Sequence, residues 1–228
     1  RSSKGSRDDR LQASTPRPSP GLPYTTLLDA TSLAEVGGLM ARFHQASATI
    51  TPAWQRPRAF ALNHIVSAGA SGWLHEWLAD LAADLQRIRH DDAGKIVIHG
   101  DFTAHNVVAS GQPPQPTGVI DFALAYVESA LADVGFGLWR SGRPHQNAIG
   151  LDPQRIHNLI SGYVQVRPLS AAAADAIAVY IRARGIQQAV KSQTRRHPPS
   201  GLLAQRIRWL SAHHSTLREA ISDAILQA

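Results

Sequence analysis

Polar residues suited to catalysis stand together between residues 96 and 122, in the sequence IVIHGDFTAHNVVASGQPPQPTGVIDF. Asp101 follows an apolar strand-like run, Asn106 precedes a second run, and Asp121 closes a third. An amide oxygen and a carboxylate are hard oxygen donors of the kind that hold Mg²⁺, with phosphate oxygens and water completing its octahedron. The segment therefore predicts a magnesium site with a further carboxylate, that of Asp101, close by.

The loop at 110–116 (SGQPPQP) has turn-forming composition and separates two of these runs, which predicts a β-hairpin. If Ala109 pairs with Gly118, an antiparallel ladder places Asn106 opposite Asp121. Directly opposed residues on one face of such a ladder are close neighbours. We therefore expect Asn106 and Asp121 to share one metal ion.

The order and spacing of these residues follow a pattern known from protein kinases. In that pattern, H-R-D-x-x-x-x-N is followed by D-F-G, and this chain has H-G-D-F-T-A-H-N followed by I-D-F-A. The first aspartate of the pattern accepts the proton of the attacking hydroxyl group, while the asparagine and the later aspartate hold Mg²⁺.

The motifs at 99–106 and 120–122 resemble the paired signatures of the aminoglycoside phosphotransferase and choline kinase group, which are small-molecule relatives of the protein kinases. Glycine in place of the motif's arginine is typical of that group. The stretch at 131–139 resembles the group's helix after the metal-binding aspartate, and residues 41–44 resemble the end of the helix that opens its C-terminal lobe. The resemblance covers about residues 31 to 195.

The resemblance implies that Asp101 is the catalytic base and that Asn106 and Asp121 bind Mg²⁺. His105, Asn106 and Asp121 would contact the nucleotide, which is ATP or GTP, and the acceptor would be a hydroxyl group of a small molecule. Purely structural alternatives stay open at each position: Asp101 as the cap of a turn, Asn106 as a turn residue, and Asp121 as a structural acid. We expect His99 to bond backbone near the loop, and Asp133 to be a helix N-cap that braces the loop.

The predicted fold class is α+β and mostly helical, with the architecture of the C-terminal lobe of a protein-kinase-like fold and a small β-hairpin that carries the metal site. Residues 1–30 are rich in Ser, Pro and charge and indicate a disordered or linker-like segment. The predicted lobe, residues 31–228, comprises a catalytic loop at 99–106, a metal-binding strand at 118–122 and substrate-side helices within 151–228.

Apolar spacing predicts helices at about 31–46, 70–89, 131–140, 153–165, 171–193 and 201–226. The pair Gly37-Gly38 inside the first helix indicates a close packing point.

The composition narrows the class of protein. There is no cysteine, no apolar run long enough for a membrane span and no apolar signal-peptide region near residue 1, so we expect a cytoplasmic protein without membrane partners.

The net charge is +6, and from Leu151 onward the sequence contains ten Lys and Arg residues and four acidic residues. A polycationic acceptor needs carboxylates, which favours a neutral or anionic hydroxyl compound here. Nucleic-acid binding is not indicated, because the basic cluster around Lys191 lacks interleaved aromatic residues.

Two other functions compete with the kinase interpretation. A kinase lobe without its partner lobe could serve as a non-catalytic binding module or be the product of a decayed gene. The types and spacing of His99, Asp101 and His105 also suit a metal-dependent phosphoesterase, although no second cluster of similar quality follows.

In the resembling group, an N-terminal β lobe supplies a loop that covers the phosphates and a lysine paired with a glutamate. Residues 1–30 are too few and too polar to supply these groups, so we expect this chain to lack that lobe. Phosphoryl transfer depends on neutralising charge from several sides. We therefore predict little or no kinase activity for purified residues 1–228 in an ATP-turnover assay, and robust turnover by this chain would contradict the prediction.

Overall fold

The computed structural model of the protein describes residues 30–50, 73–88, 94–112, 115–194 and 201–228. The predicted linker-like segment lies outside these ranges, apart from Ala30, where the first helix begins. The helices and strands of the described ranges are α1 (Ala30–Ser47), α2 (Trp73–Ile88), β1 (Lys95–Ile98), β2 (Val107–Ser110), β3 (Gln115–Val119), β4 (Tyr126–Ser129), α3 (Ala130–Ser141), α4 (Pro153–Val164), α5 (Ala173–Thr194), α6 (Gly201–Ala212) and α7 (His214–Leu226). The mostly helical α+β class is confirmed.

Helix α5 lies at the centre of the bundle. Between Ala173 and Val190 every residue except Asp175 and Gln188 is buried, because α2, α3, α6 and α7 all pack around it. A helix that is apolar on all sides is stable only in such a position. Its sequence AVYIRARGIQQAV nevertheless contains Arg182 and Arg184, and both are buried.

Helices α1 and α4 cross at very short range through glycines. A Cβ atom on Gly37 would lie 2.1 Å from the backbone oxygen of Leu159, and one on Gly162 would lie 1.8 Å from that of Ala34. No side chain fits at either position without moving a backbone. The predicted close packing point at Gly37 is confirmed, and it holds α1 against the body of the bundle.

Two separate antiparallel pairs make up the β structure of the described residues. Strands β2 and β3 form the predicted hairpin, and β1 pairs with β4. The sequence-based prediction did not include β4 (Tyr126–Ser129), which is short and runs directly into α3. Lys95 pairs with Ser129 and Ile98 with Tyr126 in the first pair, and Val107 pairs with Val119 in the second.

The predicted register of the hairpin is wrong by one residue. Val108, not Ala109, pairs with Gly118, and a bulge then places Ala109 opposite Pro116. The extra residue, Thr117, is accommodated in β3 because proline cannot donate to the ladder and a bulge absorbs the irregularity. Asn106 therefore lies opposite Ile120, whose N–H donates to the Asn106 carbonyl oxygen over 2.9 Å, and Asp121 lies one residue further along.

The last predicted helix is two helices. It ends as α6 at Ala212 and resumes as α7 at His214, and the ring of His213 stacks on that of Trp209 at a centroid distance of 4.5 Å. Ile207 and Leu210 of α6 and Leu217 of α7 are all buried in the core. None of the helices in the described ranges combines the length and the apolar character that crossing a bilayer requires.

The crossing of α1 and α4 yields a direct test with a matched control. Gly37→Ala should lower the free energy of unfolding by about 1–3 kcal/mol, since its methyl group meets backbone that cannot rotate away. Gly38→Ala should be neutral or slightly stabilising, because its Cβ would lie 3.4 Å from the Gly162 oxygen and alanine favours the helix. Urea denaturation midpoints measure both changes, and equal effects would contradict the crossing geometry.

Candidate active site

The predicted catalytic loop at 99–106 begins with a backbone turn that only glycine accommodates. Gly100 has φ 74°, and a Cβ atom there would lie 2.3 Å from the carbonyl oxygen of Leu124. The chain thereby passes close to the turn that follows Asp121. Phe102, which is buried, anchors the far side of the loop, so Asp101 is held between two fixed points.

The carboxylate of Asp133 lies beneath this loop and binds its backbone. Its Oδ2 accepts from the N–H of His99 over 2.6 Å, and its Oδ1 accepts from the N–H of Gly100 over 2.8 Å. The predicted bracing of the loop is confirmed. The predicted N-cap role is wrong: Ser129 caps α3 by accepting from the N–H of Leu131, and Asp133 lies within the first turn. Its side chain points to the loop because α3 packs against β1.

A buried chain of side chains continues from Asp133 toward the surface. The Nε2 of His44 lies 3.2 Å from Asp133 Oδ2, and its Nδ1 lies 2.9 Å from the hydroxyl group of Tyr163. Arg167 donates to that hydroxyl oxygen over 3.3 Å. Burial raises the pKa of Tyr163 to about 12, so the hydroxyl keeps its proton. The His44 tautomer that donates from Nε2 and accepts at Nδ1 satisfies every member of the chain.

His99 connects the catalytic loop to the segment that contains Asp121. Its Nε2 lies 2.9 Å from the carbonyl oxygen of Ile120, and its Nδ1 lies 3.3 Å from the N–H of Asp101. The second contact requires Nδ1 to accept, so Nε2 carries the proton and donates to Ile120. The prediction that His99 bonds backbone near the loop is confirmed.

Asn106 and Asp121 flank the end of the β2–β3 hairpin. The Asn106 amide nitrogen donates to the carbonyl oxygen of Asp101 over 2.9 Å, which leaves its oxygen as the atom for a cation. Asp121 is exposed and has φ 63°, and its Oδ1 accepts from the N–H of Ala123 over 3.2 Å. An amide oxygen and a carboxylate on adjacent segments are a donor set that fits Mg²⁺.

His105 lies on the same short 3-10 turn as Asn106 and is exposed. Nucleotide contact by His105 stays a prediction.

The side chain of Asp101 has a partner that the sequence analysis did not single out. Arg184 of α5 donates from Nη2 to Asp101 Oδ1 over 2.6 Å. The arginine is buried and its guanidinium carbon lies 4.9 Å from the centre of the Phe136 ring. Its Nη1 donates to Gln187 one turn further along. Burial lowers the pKa of Arg184, while the charge of Asp101 acts in the opposite direction.

A sequence signal for this pair does exist. Arginine in the middle of an apolar helix needs a carboxylate or an equivalent acceptor, because an unpaired buried charge is very costly. Arg182 meets the same need through Asp84 of α2. The pattern indicates that both arginines have partners, but it does not identify Asp101, which lies 83 residues away.

The ion pair between Arg184 and Asp101 predicts an unusual response to mutation. Asp101→Asn should lower the free energy of unfolding by about 1–3 kcal/mol, because Arg184 then keeps a buried charge without its partner. The double variant Asp101→Asn/Arg184→Met should recover most of that loss. Asp121→Asn is the matched control: the carboxylate is exposed, asparagine tolerates positive φ, and we expect a change below about 0.5 kcal/mol. Chemical denaturation of the wild type, the single variants Asp101→Asn and Arg184→Met, and the double variant completes the cycle, and additive effects would contradict the pair.

The chain is similar in fold to several solved kinase structures. The chain superimposes on the amicoumacin kinase hAmiN with a TM-score of 0.62 at 14% identity, over 91% of this chain and 63% of that one. The corresponding values for a choline/ethanolamine kinase family protein from Mesorhizobium loti are 0.61, 14%, 92% and 70%. For the choline kinase LicA from Streptococcus pneumoniae they are 0.60, 12%, 86% and 66%. The chain thus has the fold of these kinases and spans about two thirds of their length.

Among curated proteins, none matches the chain in sequence. The sequence profile of the phosphotransferase enzyme family (APH) matches residues 20–169. That match includes the loop with Asp101, the hairpin with Asn106 and Asp121, and the brace from Asp133. The chain belongs to the phosphotransferase enzyme family.

Proposed function

We propose that this protein transfers the γ-phosphate of ATP or GTP to a hydroxyl group of a small molecule. The observation that carries the proposal is the loop at 99–106, in which Asp133 binds two backbone N–H groups and the Asn106 side chain donates to the carbonyl oxygen of Asp101. Membership of the phosphotransferase family supports the same reaction class. Because the chain spans about two thirds of the similar kinase structures, we propose the activity for the protein in its full natural length.

Asp101 would be the catalytic base. Arg184 binds one carboxylate oxygen, Oδ1, and this leaves Oδ2 to accept a hydrogen bond from the acceptor hydroxyl. A carboxylate is a weak base. A weak base suffices, because the transition state for phosphoryl transfer is loose and needs orientation of the nucleophile more than early removal of its proton.

Asn106 and Asp121 would hold Mg²⁺, and His105 would face the nucleotide. The ion would neutralise charge on the phosphate oxygens as the leaving group departs. The left-handed backbone at Asp121 orients its carboxylate, and the hydrogen bond from Asn106 to Asp101 ties the metal site to the base. The structure of hAmiN contains AMP-PNP and Ca²⁺, and a structure of LicA contains AMP. These complexes support a nucleotide and a divalent ion for this family.

The phosphoesterase alternative fits the structure less well. It requires His99 as a metal ligand beside Asp101 and His105, but both ring nitrogens of His99 already contact backbone. Within the described ranges, no group of three or more His, Asp or Glu residues is arranged to hold a metal ion. A site of one amide and one carboxylate instead suits a metal that arrives with phosphate.

The test is an ATP-consumption assay of the full-length natural protein against a panel of hydroxyl compounds. Asp101→Asn should lower kcat by about 10²–10⁴-fold, the usual contribution of a positioned base. Asp121→Asn should raise the Mg²⁺ concentration needed for half-maximal rate. Asp223→Asn, an exposed residue of α7, is the control and should retain the wild-type rate.

Retention of activity by Asp101→Asn would overturn the assignment of the base. Failure of the wild-type protein to transfer phosphate to any hydroxyl compound, together with intact nucleotide binding, would favour a non-catalytic binding module instead.

A further inference from the structure

Four side chains form a row of hydrogen bonds that leads from the end of α4 to the loop at 99–106. Arg167 lies just beyond α4, Tyr163 lies within it, His44 belongs to the last turn of α1, and Asp133 belongs to the first turn of α3. We call these four residues the hydrogen-bond chain. Arg167 is half-buried, whereas the other three members have no solvent exposure. In such surroundings a lost hydrogen bond is costly, because the polar group that it leaves behind has no water to bind.

The outer end of the hydrogen-bond chain sets the direction of its bonds. Arginine has donors and no acceptor. Arg167 donates from Nη1 to the hydroxyl oxygen of Tyr163 over 3.3 Å, so the hydroxyl proton must point to another partner. His44 Nδ1, 2.9 Å from the hydroxyl oxygen, accepts it. Burial raises the pKa of Tyr163 to about 12, and the proton is therefore present at neutral pH.

The inner end selects the same direction. Asp133 accepts at both oxygens, at Oδ2 from the N–H of His99 over 2.6 Å and at Oδ1 from the N–H of Gly100 over 2.8 Å. His44 Nε2 lies 3.2 Å from Oδ2 and binds the carboxylate only when it carries a proton. In the opposite tautomer, a lone pair of Nε2 would face the carboxylate and the Tyr163 hydroxyl would lose its acceptor.

His44 is the member of the hydrogen-bond chain with two possible proton positions. A neutral imidazole carries its proton on either nitrogen, and the hydrogen bond made by one nitrogen selects the state of the other. Tyr163 donates to Nδ1 and thereby favours the proton on Nε2, where it faces Asp133. Phenylalanine at position 163 would remove that selection without removing any contact of the ring.

The close crossing of α1 and α4 brings Tyr163 to His44. Gly37 and His44 are seven residues apart in α1 and therefore lie on one face of the helix. Gly162 directly precedes Tyr163, and a Cβ atom on Gly37 would lie 2.9 Å from the Tyr163 backbone nitrogen. The two helices thus fix the hydroxyl group in place, so that its effect on His44 is built into the fold.

We propose that Tyr163 is a positioning residue for phosphoryl transfer, because its hydroxyl group selects the His44 tautomer that holds Asp133 in place beneath the loop at 99–106. This inference rests on the proposed phosphotransferase function and extends its machinery to a residue of α4. Tyr163 acts through the other two buried members of the hydrogen-bond chain on the two backbone N–H groups that directly precede Asp101.

Loss of the Tyr163 hydroxyl group should affect the chemical step and leave binding intact. A nucleophile reacts only when it is aligned with both its base and the phosphate, and the hydrogen-bond chain holds the segment that orients the proposed base, Asp101. Asn106 and Asp121, the proposed metal ligands, are not members of the hydrogen-bond chain. We therefore expect a lower kcat at unchanged KM, the pattern of an interaction that counts only in the transition state.

The first experiment uses NMR spectroscopy and does not depend on turnover. The natural protein is labelled with ¹⁵N in histidine and glycine, and the ¹⁵N shifts of His44 should place its proton on Nε2. In Tyr163→Phe we expect the Nδ1 signal to shift and the amide proton of Gly100 to move upfield, because its bond to Asp133 weakens. Ile207→Val, a change at a buried residue of α6 outside the hydrogen-bond chain, is the stability control, and its Gly100 and His44 signals should match those of the wild type.

The second experiment is a double-variant cycle in the turnover assay. Tyr163→Phe should lower kcat about three- to tenfold, the usual contribution of one hydrogen bond. His44→Gln keeps an N–H donor for Asp133 but offers no acceptor in place of Nδ1, so it should retain most of the wild-type rate. Added to His44→Gln, the change Tyr163→Phe should lower kcat less than about twofold, because no tautomer is left to select. Ile207→Val should retain the wild-type kcat.

Three results would overturn the inference: unchanged His44 and Gly100 signals in Tyr163→Phe, a raised KM with unchanged kcat in that variant, or an equal fall in kcat with and without His44→Gln. The last would show that Tyr163 acts by another route. Absence of phosphate transfer by the wild type would instead remove the proposed function and the role of Tyr163 in it. The NMR signals would then still report whether Tyr163 controls the loop, so the two failures are distinguishable.

Discussion

The buried carboxylate of Asp133 is the contact on which the catalytic loop depends. It accepts from two successive backbone N–H groups, those of His99 and Gly100, and from the ring of His44. A carboxylate with no solvent exposure is tolerated only because these donors satisfy it. In return, it determines where the loop leaves β1 and therefore where Asp101 stands. The chain through His44 and Tyr163 links that position to α1 and α4, whose close crossing depends on Gly37 and Gly162.

A second constraint comes from positive charge in the helical core. Helix α5 is buried on nearly all sides, yet it contains two arginines, and each draws a carboxylate toward it. Arg182 binds Asp84 and fastens α2, whereas Arg184 binds Asp101 and orients the proposed base. The helix that fills the core thus also sets the direction of a side chain at the site. This coupling explains how a mostly helical bundle can hold a loop residue in a defined position.

Local sequence patterns predicted much of this arrangement. The helices at 31–46 and 153–165 agree with α1 and α4 to within a residue, because their apolar spacing and the N-cap at Asp152 are local signals. The hairpin register was misplaced by one residue, since the bulge at Thr117 depends on how Pro116 sits in the ladder. Strand β4 was missed because its pairing partner, β1, lies about thirty residues earlier in the chain. Asp133 was identified as a brace but with the wrong geometry, since its partners are set by packing of α3 against β1.

The amino-acid sequence by itself determined the residue types at Asp101, Asn106 and Asp121, their spacing, and the family to which they point. The tertiary structure alone decided which residues surround that chemistry. The contact of Arg184 with Asp101 and that of His44 with Asp133 join residues 83 and 89 positions apart, and no local pattern specifies such pairs. The spacing of residues within a motif is a local property of the chain. The ion pairs and hydrogen bonds around the motif depend on which distant segments of the chain fold against it.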